Sequence, residues 1–194
     1  MKKFTTTLLL AIGLLVGFTV NAQAVSAATL VQTNSGYWYD RAKADGSDHH
    51  SWHFTLYEVD GQVAYCIQPN IPEGTHYNQG SWEDTGLPNS IKERLLLIGY
   101  YGYTYPGHQT LQFRAATQGL IWDTIIGSGA NTTFHTARWA KGDTFDVSNE
   151  KAQIENLIAH HYDRPSFNGG VFKAQVGETI TLTDTNNVLS NYSV

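Results

Sequence analysis

The chain has 194 residues, with twelve Lys and Arg against seventeen Asp and Glu, a net charge of −5, one cysteine, eleven Tyr and five Trp. An acidic chain of this kind suits neither nucleic acid nor an anionic lipid surface, both of which recruit clustered Lys and Arg. The length allows one domain of ordinary size plus a fragment, and a single cysteine excludes an internal disulfide framework.

The chain opens on "MKK", runs through an uncharged apolar stretch at 8–20, and reaches the small-residue sites "AQA" (22–24) and "VSA" (25–27). This is the layout of a secretory signal peptide over residues 1–27, and the apolar stretch is short for a membrane span. Cleavage removes Lys2 and Lys3, so ten basic residues then face seventeen acidic ones, a net −7. The mature domain is expected outside the cell, not inserted in a membrane. In that oxidising setting the lone Cys66 is a liability unless it is buried, metal-bound, catalytic, or bonded to something other than sulfur.

"HFTLYEVDGQVAYCIQP" (53–69) predicts a β-hairpin turning on Asp60-Gly61. That turn pairs Val59 with Gln62, Leu56 with Tyr65, Thr55 with Cys66 and Phe54 with Ile67. Alternation then puts Phe54, Leu56, Val63, Tyr65 and Ile67 on one apolar face, with Cys66 on the other beside Ala64, Tyr57 and Thr55. "NSIKERLLLIG" (89–99) predicts a helix with a Ser90–Glu93 capping box and a stop at Gly99. "YYGYTYPG" (100–107) reads as a tyrosine-rich loop. "TLQFRAATQGLIWDTIIGSG" (110–129) predicts a second helix ended by Gly127 and Gly129. A third lies in "SNEKAQIENLIAHHYDRP" (148–165), with Ile154, Leu157 and Ile158 on its apolar side and Pro165 as its stop. "VFKAQVGETITLTDTNN" (171–187) alternates as strands do. The class is α+β: an antiparallel β-sandwich or barrel with a grouped helical subdomain. We expect a first domain over 28–170, then terminal strands or the start of a following β-domain over 171–194, at the front of a longer polypeptide.

On the second helix Leu111, Ala115, Gln118, Trp122 and Ile125 recur at helical spacing, placing a primary amide within an apolar seam. Such an amide is most simply satisfied by a neighbouring backbone. A thiol and a Gln carboxamide can also condense, lose ammonia and leave an internal thioester. The thiolate is the nucleophile and the amide a poor electrophile, so the two must be fixed in near-attack geometry and water kept away. Tyr65 and Trp122 are the candidate walls.

"YCIQP" (65–69) and "TQGLIW" (117–122) together resemble the paired signature of the thioester domains of Gram-positive surface adhesins. The Gly-Tyr segment "GYYGY" (99–103) and "RPSF" (164–167) after the last helix are similar too, and the likeness covers roughly residues 30–170. Leu120 stands where that family often has Ala. The resemblance implies a thioester between Cys66 on a strand and Gln118 on a helix. By its place before the second helix, His108 is expected near the bond to shuttle a proton, and the resemblance has Tyr65, Thr117, Trp122, Tyr101 and Tyr103 support or shield it. It also implies the function. A lysine amine on a host surface, matrix or plasma protein attacks the Gln118 acyl carbon, Cys66 leaves, and an amide holds the cell. Such a domain acts once and is no enzyme. It needs no cofactor, works as a monomer, and is cell-wall-anchored through a C-terminal region beyond this chain.

Other readings compete. Cys66 as the nucleophile of a hydrolase or transglutaminase-like enzyme would need a histidine base and a residue to orient it. The Trp and Tyr content would also suit a non-covalent carbohydrate-binding module. His49, His50 and His53 do not share one strand face, so a polar edge is expected there and no metal. His160 and His161 end a helix, where a cation suits the dipole. The sequons "NTT" (131–133) and "NYS" (191–193) carry no weight in a protein of bacterial type.

Overall fold

The computed structural model describes residues 28–47, 49–68, 85–127 and 129–191. The signal peptide, Pro69 and most of the second sequon lie outside them. Strands β1 (Leu30–Arg41), β2 (His50–Val59), β3 (Gln62–Ala64), β4 (Thr133–Ala137) and β5 (Lys141–Thr144) form one antiparallel sheet in the order β3-β2-β1-β4-β5. Helices α1 (Asn89–Tyr101), α2 (Leu111–Ile126) and α3 (Ser148–Ala159) complete the α+β fold, with a short 3-10 turn at Val188–Asn191. The sheet of the described residues is open. It does not close into the expected sandwich or barrel.

The hairpin forms on the predicted turn. Asp60 and Gly61 both take positive φ, 51° and 74°, as a two-residue turn with the twist of its strands requires. The register Val59↔Gln62, Glu58↔Val63, Tyr57↔Ala64 is the expected one. β3, however, stops at Ala64, so the pairings foreseen for Tyr65, Cys66 and Ile67 do not form.

The long central strand β1 carries no clean alternation. It shifts register against β2 between Asn34 and Trp38, around Gly36 at φ 84°. Such a bulge changes the face each later side chain occupies and hides the strand from a period-two pattern.

α1 starts after Pro88, whose missing N–H suits a helix entry, and has no side-chain cap. Ser90 therefore lies inside the first turn, and the helix passes through Gly99 to Tyr101. α2 begins at a true cap, where Thr110 Oγ1 accepts the Phe113 N–H at 3.3 Å. Phe113 through Trp122 are all buried, so α2 is a helix wrapped on every side, not one with a single apolar seam. On α3, Ile154 and Ile158 are buried and Leu157 packs beside them. No strand forms over 171–187, and Val171, Phe172, Val176, Ile180 and Leu182 are exposed. Alternation supplies a face, but a strand also needs a partner edge.

The core lies between the sheet and the helices. Tyr39, Phe54 and Phe134 from β1, β2 and β4 meet Leu95 and Ile98 of α1, Ala115 and Trp122 of α2, and Ile154 of α3. Phe54 and Phe134 meet edge to face at 5.0 Å. The three histidines of the hairpin strand do not converge. His53 packs on Trp38 in a tilted pair at 3.7 Å, His49 lies edge-on to Trp139, and His50 pairs with Arg41 on β1. Among the described residues no group of three His, Cys, Asp or Glu is placed to hold a metal, and no helix is long and apolar enough to cross a membrane.

Candidate functional site

Continued in register beyond Ala64, Cys66 would face Thr55. Its backbone turns to α2 instead. The Cys66 N–H donates to Gln118 Oε1 at 2.9 Å, and Gln118 Nε2 donates to the Cys66 carbonyl at 2.9 Å. The carboxamide thus stands where the peptide group of a neighbouring strand would stand, exchanging both bonds as an antiparallel pair does. Gln118 is only 2% exposed, and a primary amide so buried needs both partners. The backbone that satisfies this glutamine is that of the chain's single cysteine, 52 residues away. Cys66 is half-buried against the core, and its thiol reaches Gln68 O at 3.6 Å.

Thr117, next to Gln118 and fully buried, ties the tyrosine-rich loop to α2. Its Oγ1 donates to Phe113 O at 2.6 Å and accepts the Tyr103 N–H at 3.0 Å. Gly102 makes that approach possible. A Cβ there would sit 2.3 Å from Thr117 Oγ1 and 2.7 Å from Ile98 O, closer than any real contact. Gly102→Ala should therefore destabilise the fold by about 1–3 kcal/mol, the usual effect of overpacking, and loosen the loop beside Gln118. Thermal melts check the first effect, and hydrogen exchange at the Tyr103 amide checks the second.

Burial pushes the Tyr65 phenol above its ordinary range, with the Arg114 guanidinium pulling the other way. Arg114 is the side chain that the sequence reading missed. It is buried, lies 4.9 Å from the Tyr65 ring and 5.2 Å from the Tyr103 ring, and donates through Nη2 to Tyr57 O and to Ala64 O, the latter at 3.3 Å. The available signal was a charge inside the otherwise uncharged "FRAATQG", one helical turn before Gln118 and so on its face.

The remaining expected residues have partners of their own. Tyr101 is buried, and its hydroxyl meets His161 Nδ1 at 2.8 Å, toward the end of α3. The Trp122 ring packs on Tyr39 in a tilted pair at 4.3 Å, with Arg41 5.6 Å from its ring, which places it in the helix–sheet core. His108 stacks on Phe113 at 3.7 Å, and its Nδ1 lies 2.9 Å from Tyr101 O and 3.2 Å from Gly102 O. That nitrogen therefore carries the proton, and no hydrogen bond joins His108 to Cys66 or Gln118.

An open antiparallel sheet, a buried central helix, and a helix glutamine locked onto a strand-exit cysteine define a class of domains built around a Cys–Gln pair. This chain belongs to the thioester domain family (TED), whose model matches residues 63–163, a span that takes in both Cys66 and Gln118. Among solved structures the chain is similar to the thioester domain of the Staphylococcus aureus TIE protein. The TM-score is 0.60 and the identity 23%, over 86% of this chain and 69% of that one, a likeness of fold. No curated protein matches it.

Proposed function

We propose that Cys66 and Gln118 condense to an internal thioester, and that this stored electrophile captures a lysine amine on a host surface, matrix or plasma protein. The observation that supports the reading most directly is the double hydrogen bond between the Gln118 carboxamide and the Cys66 backbone. It holds the acyl carbon against the residue that bears the nucleophile, and fixed geometry of this kind can stand for roughly 10⁵–10⁸ M of effective concentration.

The same contacts suit both steps. In the first, Cys66 Sγ attacks Gln118 Cδ, and negative charge develops on Oε1. The Cys66 N–H already points at that oxygen, as an oxyanion-hole donor does. The C–N bond breaks, and the amide nitrogen leaves as ammonia with the thiol proton. In the second, a neutral amine attacks the same carbon, the C–S bond breaks, and the amine proton passes to the departing sulfur. An amide links the two proteins, and the domain is spent after one turnover. A hydrolase would need a base on Cys66, and among the described residues no histidine hydrogen-bonds it. The aromatic surface that would suit a sugar-binding module gives no role to the Cys66–Gln118 pair.

The test is the intact mass of the mature chain. A deficit of one ammonia, absent from Cys66→Ala and traced by digestion to a cross-linked pair of peptides, is the expected result. Full mass with a freely alkylated Cys66 in fresh native protein would overturn it.

A further inference from the structure

We infer that Arg114 is the positioning residue of this site, the group that sets where Cys66 leaves the sheet; the inference rests on the thioester reading above. Tyr57 and Ala64 are direct partners across the last rung of the β2–β3 hairpin. Arg114 Nη2 reaches the carbonyl of each. One turn further along α2, Gln118 takes the N–H and C=O of Cys66. Two neighbouring side chains of one helix therefore grip the chain at consecutive points, Ala64 and Cys66.

Without the first grip the hairpin has a ready alternative. Its register would carry Cys66 on to face Thr55, and the strand hydrogen bonds that pairing offers would compete with Gln118 for the same N–H and C=O. A guanidinium drawn onto both carbonyls of the last rung pulls the end of the hairpin to the helix, where the carboxamide can compete.

The surroundings of Arg114 argue that the charge is there for this purpose. Among the described residues no carboxylate pairs with it. A buried cation without a counter-ion is costly, and here it is held by carbonyl oxygens and by two tyrosine rings at 4.9 and 5.2 Å. One of those rings is Tyr65, between Ala64 and Cys66. The other is Tyr103, whose N–H is bonded to Thr117 beside Gln118. The planar fork therefore ties hairpin end, loop and helix together around the reacting pair. Lysine keeps the charge but has no planar guanidinium to set against two rings while one of its nitrogens holds two carbonyls.

Arg114→Lys tests this in the full mature chain, with Ile154→Val as a core variant that lowers stability away from the site. Two readings are taken on folded, monomeric protein: the fraction lacking one ammonia by intact mass, and hydrogen exchange at the Cys66 amide. We expect Arg114→Lys to show a thioester fraction or rate of formation reduced at least tenfold, as small misplacements of reacting groups do, together with lost protection at Cys66. Ile154→Val should keep both. Wild-type thioester content and wild-type protection in Arg114→Lys would overturn the inference. So would equal losses in Ile154→Val, because the role would then be one of general stability. If the wild type itself carries no ammonia deficit, the thioester reading fails, and exchange at Cys66 still decides the role of Arg114. Arg114→Gln, a neutral donor able to reach one carbonyl, supplies the same readings where the lysine variant does not fold.

Discussion

Incubated with plasma or matrix proteins, the mature domain should yield an adduct band that survives boiling in detergent and reductant. Gln118→Ala and Cys66→Ala should yield none. The expected effect is all or none, because the first variant removes the acyl carbon and the second removes the sulfur that activates it. Gln118→Glu is the sharper control, since it keeps the shape of the buried side chain and has no ammonia to lose. The pH dependence has a definite sign. A lysine amine attacks only when neutral, and its ordinary pKa of about 10.4 leaves a small neutral fraction at pH 7 that grows about tenfold per pH unit. Adduct formation should therefore accelerate as pH rises, until hydrolysis of the thioester competes. Denaturing electrophoresis over a pH series reads both trends. An adduct removed by reductant would be a mixed disulfide at Cys66, and an equal adduct in Gln118→Ala would take the thioester out of the mechanism.

Cys66→Ala should also melt well below the wild type. The proposed bond ties residues 52 positions apart. In the chain-entropy picture, loss of a cross-link of that span resembles loss of a long-loop disulfide, about 2–4 kcal/mol. For a domain of this size that is on the order of 5–15 °C in Tm. The substitution keeps both hydrogen bonds between the Gln118 carboxamide and the backbone of residue 66, whereas the thioester form has given up the one donated by Gln118 Nε2, so the loss measured is that of the cross-link net of this bond. Wild-type protein opened with methylamine should lose a similar amount without any mutation. Calorimetry of the three samples checks this. A Tm that stays level in both altered forms would mean that the bond adds no stability to the fold.

Much of the local structure was legible in the residues. Asp60-Gly61 specified its turn and hairpin register, because a pair of positive-φ residues admits few alternatives. Three helices stood out through periodicity and stop signals, although their ends moved. Ser90 had the chemistry of a cap, but Pro88 sets the entry of α1. Cys66 and Gln118 were singled out by residue type: the only thiol of the chain, and an amide among apolar neighbours.

What the residues could not disclose is which groups meet across the chain. β1 stayed hidden because its bulge at Gly36 breaks the alternation by which a strand is recognised, and the openness of the sheet depends on pairings between distant segments. Trp122 was named as an aromatic wall one turn after Gln118 and His108 for its place before the second helix, but neither position could disclose that Trp122 packs on Tyr39 or that His108 reaches the carbonyls of the tyrosine loop. Arg114 gave only the weak signal of a lone charge, since its partners Tyr57 and Ala64 lie 57 and 50 residues away. By itself, then, the sequence determined the turns, the helices and the two residue types on which the proposed chemistry rests, for these depend on torsional preference and bond chemistry within a few residues. Only the tertiary structure decided that the glutamine closes on the backbone of the cysteine itself, because that contact exists only once sheet and helix share a core and a buried amide must find its partners there.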